Sequence, residues 1–344
     1  MTFDLTCWVR DNIQRLKPYS CARNEYKGEA SVFLDANENP MNAPYNRYPD
    51  PLQEALKQKI ARLKNVRPAQ IMLGVGSDEP IDLVVRIFCE PKEDNIVAIE
   101  PTYGMYKVCA DINNVAYRPV LLNDDFTLDA ARVLQAVDRQ TKVIFLCSPN
   151  NPTGNVLACD EVKKILTGFD GVIVMDEAYI DFSFQPSWLS VLDQYPNLIV
   201  LQTFSKAWGM ASVRCGMAFA SEAIIAYFNK VKYPYNLNML TQKTVSEQID
   251  HDERKNEWVK VLLEQREQLA SKLSAIPYVE KVYPSEANFM LVKVNNPNEV
   301  YGKLVDCGII VRNRNNISLC QGCIRITVGT AEENEALLNK MINI

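Results

Sequence analysis

The sequence predicts an α/β protein, with a large domain built on a mostly parallel mixed sheet flanked by helices and a smaller α+β domain after it. Three observations lead there. Between about residues 95 and 220, short runs rich in Val, Ile and Leu alternate with polar or helical stretches. Strands buried on both faces read this way, and alternation with helices implies parallel pairing. After residue 240 the pattern gives way to a long charged helix, then strand-like segments and a last helix. At 344 residues, the chain is also longer than one simple core requires.

Taken in order, residues 1–30 read as an arm that belongs to neither strand series or joins the smaller domain. Residues 31–240 form the large domain and 241–344 the small one. Gly74-Val75-Gly76-Ser77-Asp78-Glu79 precedes Pro80 and an apolar stripe at Ile81, Val84, Val85 and Phe88. That is a glycine turn, a Ser or Asp cap and an amphipathic helix. The runs Ile96–Ile99, Val143–Cys147, Val172–Met175, Leu198–Leu201 and Cys215–Ala220 are the expected strands. A charged helix is expected over His251–Leu273, strands over Phe289–Val294, Ile309–Arg312 and Cys323–Val328, and a final helix from Glu332.

Composition narrows the function. A formal net charge of −5 gives no support to nucleic-acid binding. No apolar run reaches the ~20 residues that span a bilayer. The start, MTFDLTCWVR, lacks a basic segment followed by an apolar run, so no secretory signal is expected. With ten scattered cysteines this points to the reducing cytoplasm and free thiols. Cys320-x-x-Cys323 has no second pair, and His251 is the only histidine, so these read as ordinary loop thiols and no metal site is expected. The same scarcity of histidine argues against Ser-His-Asp and Cys-His chemistry.

Parallel sheets place ligand chemistry just past the carboxyl ends of their strands. The residues found there are Glu100-Pro101-Thr102-Tyr103, Ser148-Pro149-Asn150-Asn151, Asp176-Glu177-Ala178-Tyr179 and Thr203-Phe204-Ser205-Lys206. A carboxylate ending a buried run, as Asp176 does, calls for a cation. A lysine at a strand end near other cations, as Lys206 is, has its ammonium form disfavoured, which suits covalent amine chemistry. Ser77 and Asp78 sit at a helix start, where backbone N–H groups face an anion. Arg214, eight residues after Lys206, can complete such an anion site, and Tyr103 can stack on a flat ligand. Each residue alone has an ordinary explanation as a cap, a turn or a surface charge. Together they supply every group that pyridoxal phosphate requires.

These motifs resemble the fold-type I pyridoxal-phosphate-dependent aminotransferases. More narrowly, Leu34-Asp35-Ala36-Asn37-Glu38-Asn39-Pro40, Arg47-Tyr48-Pro49, Arg214-Cys215-Gly216 and Ile324-Arg325-Ile326-Thr327-Val328-Gly329-Thr330 are similar to the histidinol-phosphate aminotransferases. The resemblance runs from about residue 16 to 330. It implies that Lys206 is the Schiff-base lysine, that Asp176 pairs with the pyridinium, and that Asn151 and Tyr179 bind the ring oxygen. It further implies that Tyr103 stacks on the ring, and that Ser77, Asp78, Thr203, Ser205 and Arg214 surround the cofactor phosphate. Tyr48 would reach that phosphate from the partner subunit of a homodimer. Arg325, Arg312, Tyr19 and Asn37 would bind substrate: histidinol phosphate or its keto partner, glutamate or 2-oxoglutarate. The implied process is histidine biosynthesis. Ser212, in Met210-Ala211-Ser212-Val213, replaces a glycine usual in the family.

The same cofactor residues would also serve an aromatic aminotransferase or a decarboxylase of phosphorylated amino acids. A nucleotide-binding dehydrogenase fits less well, because Glu79 stands where the third glycine of a dinucleotide loop should be.

Overall fold

The structure is a computed structural model and describes residues 3–26, 28 and 30–344. Its larger sheet contains β1 (Ile71–Val75), β2 (Asn95–Glu100), β3 (Ala116–Leu121), β4 (Thr141–Cys147), β5 (Val172–Asp176), β6 (Leu198–Thr203) and β7 (Cys215–Phe219). Their spatial order is β1-β7-β6-β5-β4-β2-β3. Pairing is parallel from β6 through β5, β4 and β2 to β3, whereas β7 runs antiparallel to both β6 and β1. The expected mixed, mostly parallel sheet is therefore present.

Burial on both faces explains the apolar runs. In β5, Ile173 and Met175 pack into the core on one side, while Val172 and Val174 pack into the core on the other. The neighbours repeat this, with Ile144 and Leu146 against Val143 and Phe145 in β4, and Leu198 and Val200 against Ile199 and Leu201 in β6. Each strand thus supplies both cores by its two-residue period.

The smaller sheet is antiparallel throughout, in the order β10 (Arg312–Asn313), β11 (Cys323–Thr327), β9 (Phe289–Val294), β8 (Val279–Val282). Its apolar face packs with Leu269 and Leu273 of the helix Asp252–Ser274 and with Leu337, Leu338 and Met341 of the helix Ala331–Ile342. That last helix starts with a capping box. Thr330 accepts from the Glu333 N–H at 3.2 Å and Glu333 accepts from the Thr330 N–H at 2.8 Å.

Several elements differ from expectation. β1 lies where Gly74 suggested only a turn. β3 is an edge strand whose Arg118 and Pro119 break the apolar signature, and Pro is tolerated at an edge. β8 is short and half-exposed, so it has no apolar run. The expected strand Ile309–Arg312 shrinks to the pair Arg312–Asn313, because only these residues meet β11. Among the described residues no helix is long and apolar enough to cross a membrane.

Candidate active site

The topology collects the strand-end residues at one edge. β1, β2, β4, β5 and β6 all end there, and the β6–β7 connection folds back over it carrying Lys206 and Arg214. Beyond this edge lies a cavity of about 670 Å³, whose lining includes Lys206, Asp176, Tyr179, Asn151, Tyr103 and Arg325. Ser77, Asp78, Thr203, Ser205, Arg214 and Arg312 also open onto it. Twelve of the fifteen residues singled out from the sequence therefore share one cavity.

Asp176 forms the cavity's charged floor. It is the last residue of β5 and only 2% exposed. Tyr106 donates to its Oδ2 at 2.6 Å and the Ala178 N–H to its Oδ1 at 3.0 Å. Burial raises its pKa above the usual carboxylate range, these two bonds counter that, Asp78 adds to the rise and Lys206 opposes it. Among the described residues no cation is in ion-pair contact with Asp176. A buried carboxylate so placed is a receptor for a protonated ring nitrogen.

Lys206 is partly buried, and its Nζ lies 5.5 Å from the centroid of the Tyr179 ring. Burial lowers its pKa, and Arg325 and Arg214 lower it further, against Asp176 and Asp78. The neutral amine, which is the nucleophile and the base, is thereby favoured. Tyr179 is almost wholly buried, and burial pushes its hydroxyl well above the ordinary phenol range.

The two asparagines of the Ser148–Gly154 turn divide their work. Asn150 is spent inside the turn, donating to Pro101 O at 2.8 Å and to Thr153 Oγ1 at 2.7 Å, and accepting from Thr102 Oγ1 at 2.9 Å. Asn151 faces the cavity, where its Nδ2 donates to Tyr179 Oη at 3.4 Å and its Oδ1 accepts from Arg325 Nη1. One Nδ2 proton stays available for a ring oxygen.

At the opposite end, hydroxyls and a guanidinium surround the start of the helix Asp78–Phe88. Thr203 Oγ1 and Ser205 Oγ are 3.0 Å apart, and Arg214 Nη1 lies 3.5 Å from Ser205 Oγ. The Ser77 side chain makes no cap bond to the helix, and its O–H can donate to a bound anion. Asp78 accepts from Tyr103 Oη at 2.9 Å and meets Arg214 Nη2 at 3.5 Å. Gly76 adopts φ +68°, and a side chain there would collide with the Arg214 guanidinium. A side chain at Gly216 would strike the backbone of Gly76 and Ser77. Two glycines thus let β7 close against the helix start and bring Arg214 to it. The arrangement fits a phosphate dianion. Pyridoxal phosphate therefore matches the site at its ring nitrogen, ring oxygen and phosphate.

Ser212 is exposed within the single 3₁₀ turn Ala211–Val213, and its backbone is outside the left-handed region. The turn does not need the family's glycine there.

Sequence reasoning missed two residues of the site, Tyr106 beneath the cavity floor and Arg314 on its wall. Tyr106, wholly buried, holds Asp176 in place; as a sequence position it reads only as core. Arg314 lines the cavity beside Arg312 and Arg325. Its signal was present, since residues i and i+2 of an extended segment share a side. Cys320 and Cys323 are buried and their pKa values are pushed up to about 12 and about 11, chiefly by burial. They are protonated thiols at neutral pH.

Three expected site residues are not in this cavity. Tyr19 is 73% exposed. Asn37 and Tyr48 line a separate cavity of about 540 Å³, with Arg47, Asn238 and Met239. Tyr48 is 52% exposed and stacks on Tyr235, with centroids 4.5 Å apart.

Residues 21–341 match the family described as aminotransferase class I and II. The chain is 58% identical over 334 residues to the histidinol-phosphate aminotransferase of Bacteroides fragilis (strain YCH46), covering 97% of each chain. It is 57% identical to that of Bacteroides thetaiotaomicron, covering 96% of each. Among solved structures, the histidinol-phosphate aminotransferase of Sinorhizobium meliloti in complex with pyridoxal-5'-phosphate superimposes with a TM-score of 0.80, at 23% identity, over 90% of this chain and 89% of that one. The last likeness shows the fold.

Proposed function

The chain belongs to the class I and II aminotransferases, and from that premise we propose that it transfers an amino group between L-histidinol phosphate and 2-oxoglutarate in histidine biosynthesis. Glutamate and imidazole acetol phosphate are the partners in the reverse direction. The observation that carries this reading is a buried Asp176, without an ion-pair partner among the described residues, sharing one cavity with Lys206 and an arginine-lined wall.

Bound pyridoxal phosphate supplies the electron sink that makes the amino-bearing carbon of a substrate acidic. The chain does the rest. Lys206 holds the cofactor and moves the proton at that carbon, helped by the forces that favour its neutral amine. Asp176 keeps the ring nitrogen protonated, while Asn151 and Tyr179 bind the ring oxygen and Tyr103 covers a ring face. Ser77, Asp78, Thr203, Ser205 and Arg214 form the phosphate end, with Asp78 acting through Tyr103 and Arg214. Arg325 takes the anionic group common to both substrates, since a guanidinium fits carboxylate and phosphate alike. Arg312 adds charge for the phosphate.

Residues 31–240 act as the cofactor-binding domain and 241–344 as the substrate-facing domain, with 1–30 as an arm. The working unit is a homodimer in which Tyr48 completes the partner's cofactor site, and in which Tyr19 and Asn37 reach substrate. Their exposure in a single chain is consistent with that use. The described cysteines are all free, in keeping with a cytoplasmic enzyme.

The test is a steady-state assay of the cofactor-loaded protein. Glutamate should form from histidinol phosphate and 2-oxoglutarate, with phenylalanine and tyrosine much poorer donors. Faster turnover of the aromatic amino acids, or release of carbon dioxide from a phosphorylated amino acid, would replace this reading.

A further inference from the structure

Arg314 is the charged cavity residue to which the roles above assign nothing. It stands two residues after Arg312, which pairs directly with Arg325 across β10 and β11. All three arginines line the same cavity. Among the described residues no carboxylate forms an ion pair with Arg312, Arg314 or Arg325. The Nε–H groups of Arg314 and Arg325 are both buried without an acceptor. Burial and the adjacent Arg325 and Arg312 push the Arg314 guanidinium down to about 10.

Like charges held this close repel one another, and buried donors left without acceptors are costly. A multiply charged anion with several oxygens relieves both. A phosphate dianion offers three free oxygens, whereas a carboxylate offers two and a single charge. Arg325 already donates to Asn151, which leaves less of its fork for the ligand.

The hydrogen bonds that hold the Arg314 loop do not involve the Arg314 side chain. Its backbone ties the loop, with N–H donating to Cys323 O at 2.9 Å and C=O accepting from the Ile317 N–H at 2.9 Å. Those bonds survive replacement of the side chain.

We propose that Arg314 is a specificity-determining residue that binds the substrate phosphate with Arg312, so that this wall favours phosphate-bearing amines over substrates carrying carboxylates alone. The inference rests on the reading of histidinol phosphate as substrate.

The experiment compares cofactor-loaded wild type, Arg314→Gln and Arg314→Lys. Single-turnover half-reactions are measured with histidinol phosphate and with glutamate, and inorganic phosphate is titrated as a competitive inhibitor. Loading the cofactor fills its own phosphate site, so added phosphate reports on the substrate wall. Arg314→Gln should weaken histidinol-phosphate binding roughly tenfold to a hundredfold and phosphate inhibition in parallel, with a much smaller loss for glutamate. Arg314→Lys should recover part of the loss, since it keeps the charge without the fork. Equal loss in both half-reactions, or no loss with histidinol phosphate, overturns the inference. If wild type does not turn over histidinol phosphate, the reading of the substrate falls. The phosphate titration then still decides Arg314, because unchanged inhibition of Arg314→Gln by phosphate overturns its role.

Discussion

Tyr106 donates a 2.6 Å hydrogen bond to Asp176 from beneath the cavity floor, with both residues buried. The bond fixes the carboxylate and partly offsets its desolvation, yet adds no positive charge. Among the described residues no cation is in ion-pair contact with Asp176, so a bound ligand would supply the close counter-charge.

A first prediction follows for Asp176→Asn. The amide cannot hold a ring proton, so turnover should fall by several orders of magnitude while cofactor binding persists. The sign of the stability effect differs. Burial raises the pKa of Asp176, so the ionised carboxylate disfavours the folded, cofactor-free protein as pH rises through that value. Asp176→Asn should therefore raise the melting temperature of the cofactor-free protein at neutral pH. Near-normal turnover, or a lowered melting temperature, would show the residue misassigned.

The adjacent Glu177 gives a pH-dependent prediction. It is buried and receives hydrogen bonds from Ser187 Oγ at 2.5 Å, the Trp188 N–H at 2.7 Å and Gln202 Nε2 at 2.9 Å. Burial nevertheless raises its pKa from 4.5 to about 7. Its contribution is fully present below the unfolded value of 4.5 and lost as pH rises through about 7. Between pH 5 and 8 that loss is about 2–3 kcal/mol. Denaturant titrations of wild type and Glu177→Gln should show the variant gaining relative stability over this interval. A constant difference between the two proteins would contradict the buried-carboxylate account.

Arg312 and Arg325 face each other in register, yet their roles should separate. Arg312→Ala should injure the histidinol-phosphate half-reaction much more than the glutamate half-reaction, by about tenfold to a hundredfold in kcat/KM. Arg325→Ala should injure both. Single-turnover measurement of each half-reaction distinguishes these outcomes, and equal damage by Arg312→Ala would end the division of labour.

Much of this was legible from the chain. The central strands announced themselves because burial on both faces leaves an unbroken apolar run, as in Val172–Met175. Strand-end residues were legible because a parallel sheet sends its carboxyl ends to one edge. Edge and short strands were not: β3 and β8 bury too little to carry a pattern. Tyr106 was hidden because a buried aromatic reads as core whether or not its hydroxyl is used. Arg314 carried one signal, its place two residues after Arg312, but a half-buried arginine in a loop otherwise resembles a surface charge. In the proposed homodimer, where Tyr19, Asn37 and Tyr48 act would be decided by a neighbouring chain, which no pattern within one chain describes.

That last point yields a prediction about assembly. Sedimentation should show a dimer at working concentration. Tyr48→Phe should weaken cofactor retention in the dimer without dissociating it, since one hydroxyl-to-phosphate contact contributes about 1.5–3 kcal/mol. A fully active monomer would contradict a shared site.

The central claim is that Lys206 carries the cofactor above Asp176, and borohydride reduction followed by peptide mapping tests it most directly. The account predicts a yellow protein whose reduced cofactor stays on the peptide containing Lys206, and a Lys206→Ala variant that folds but neither traps the cofactor nor turns over. Labelling of any other lysine, or no colour after pyridoxal phosphate is added, would contradict it.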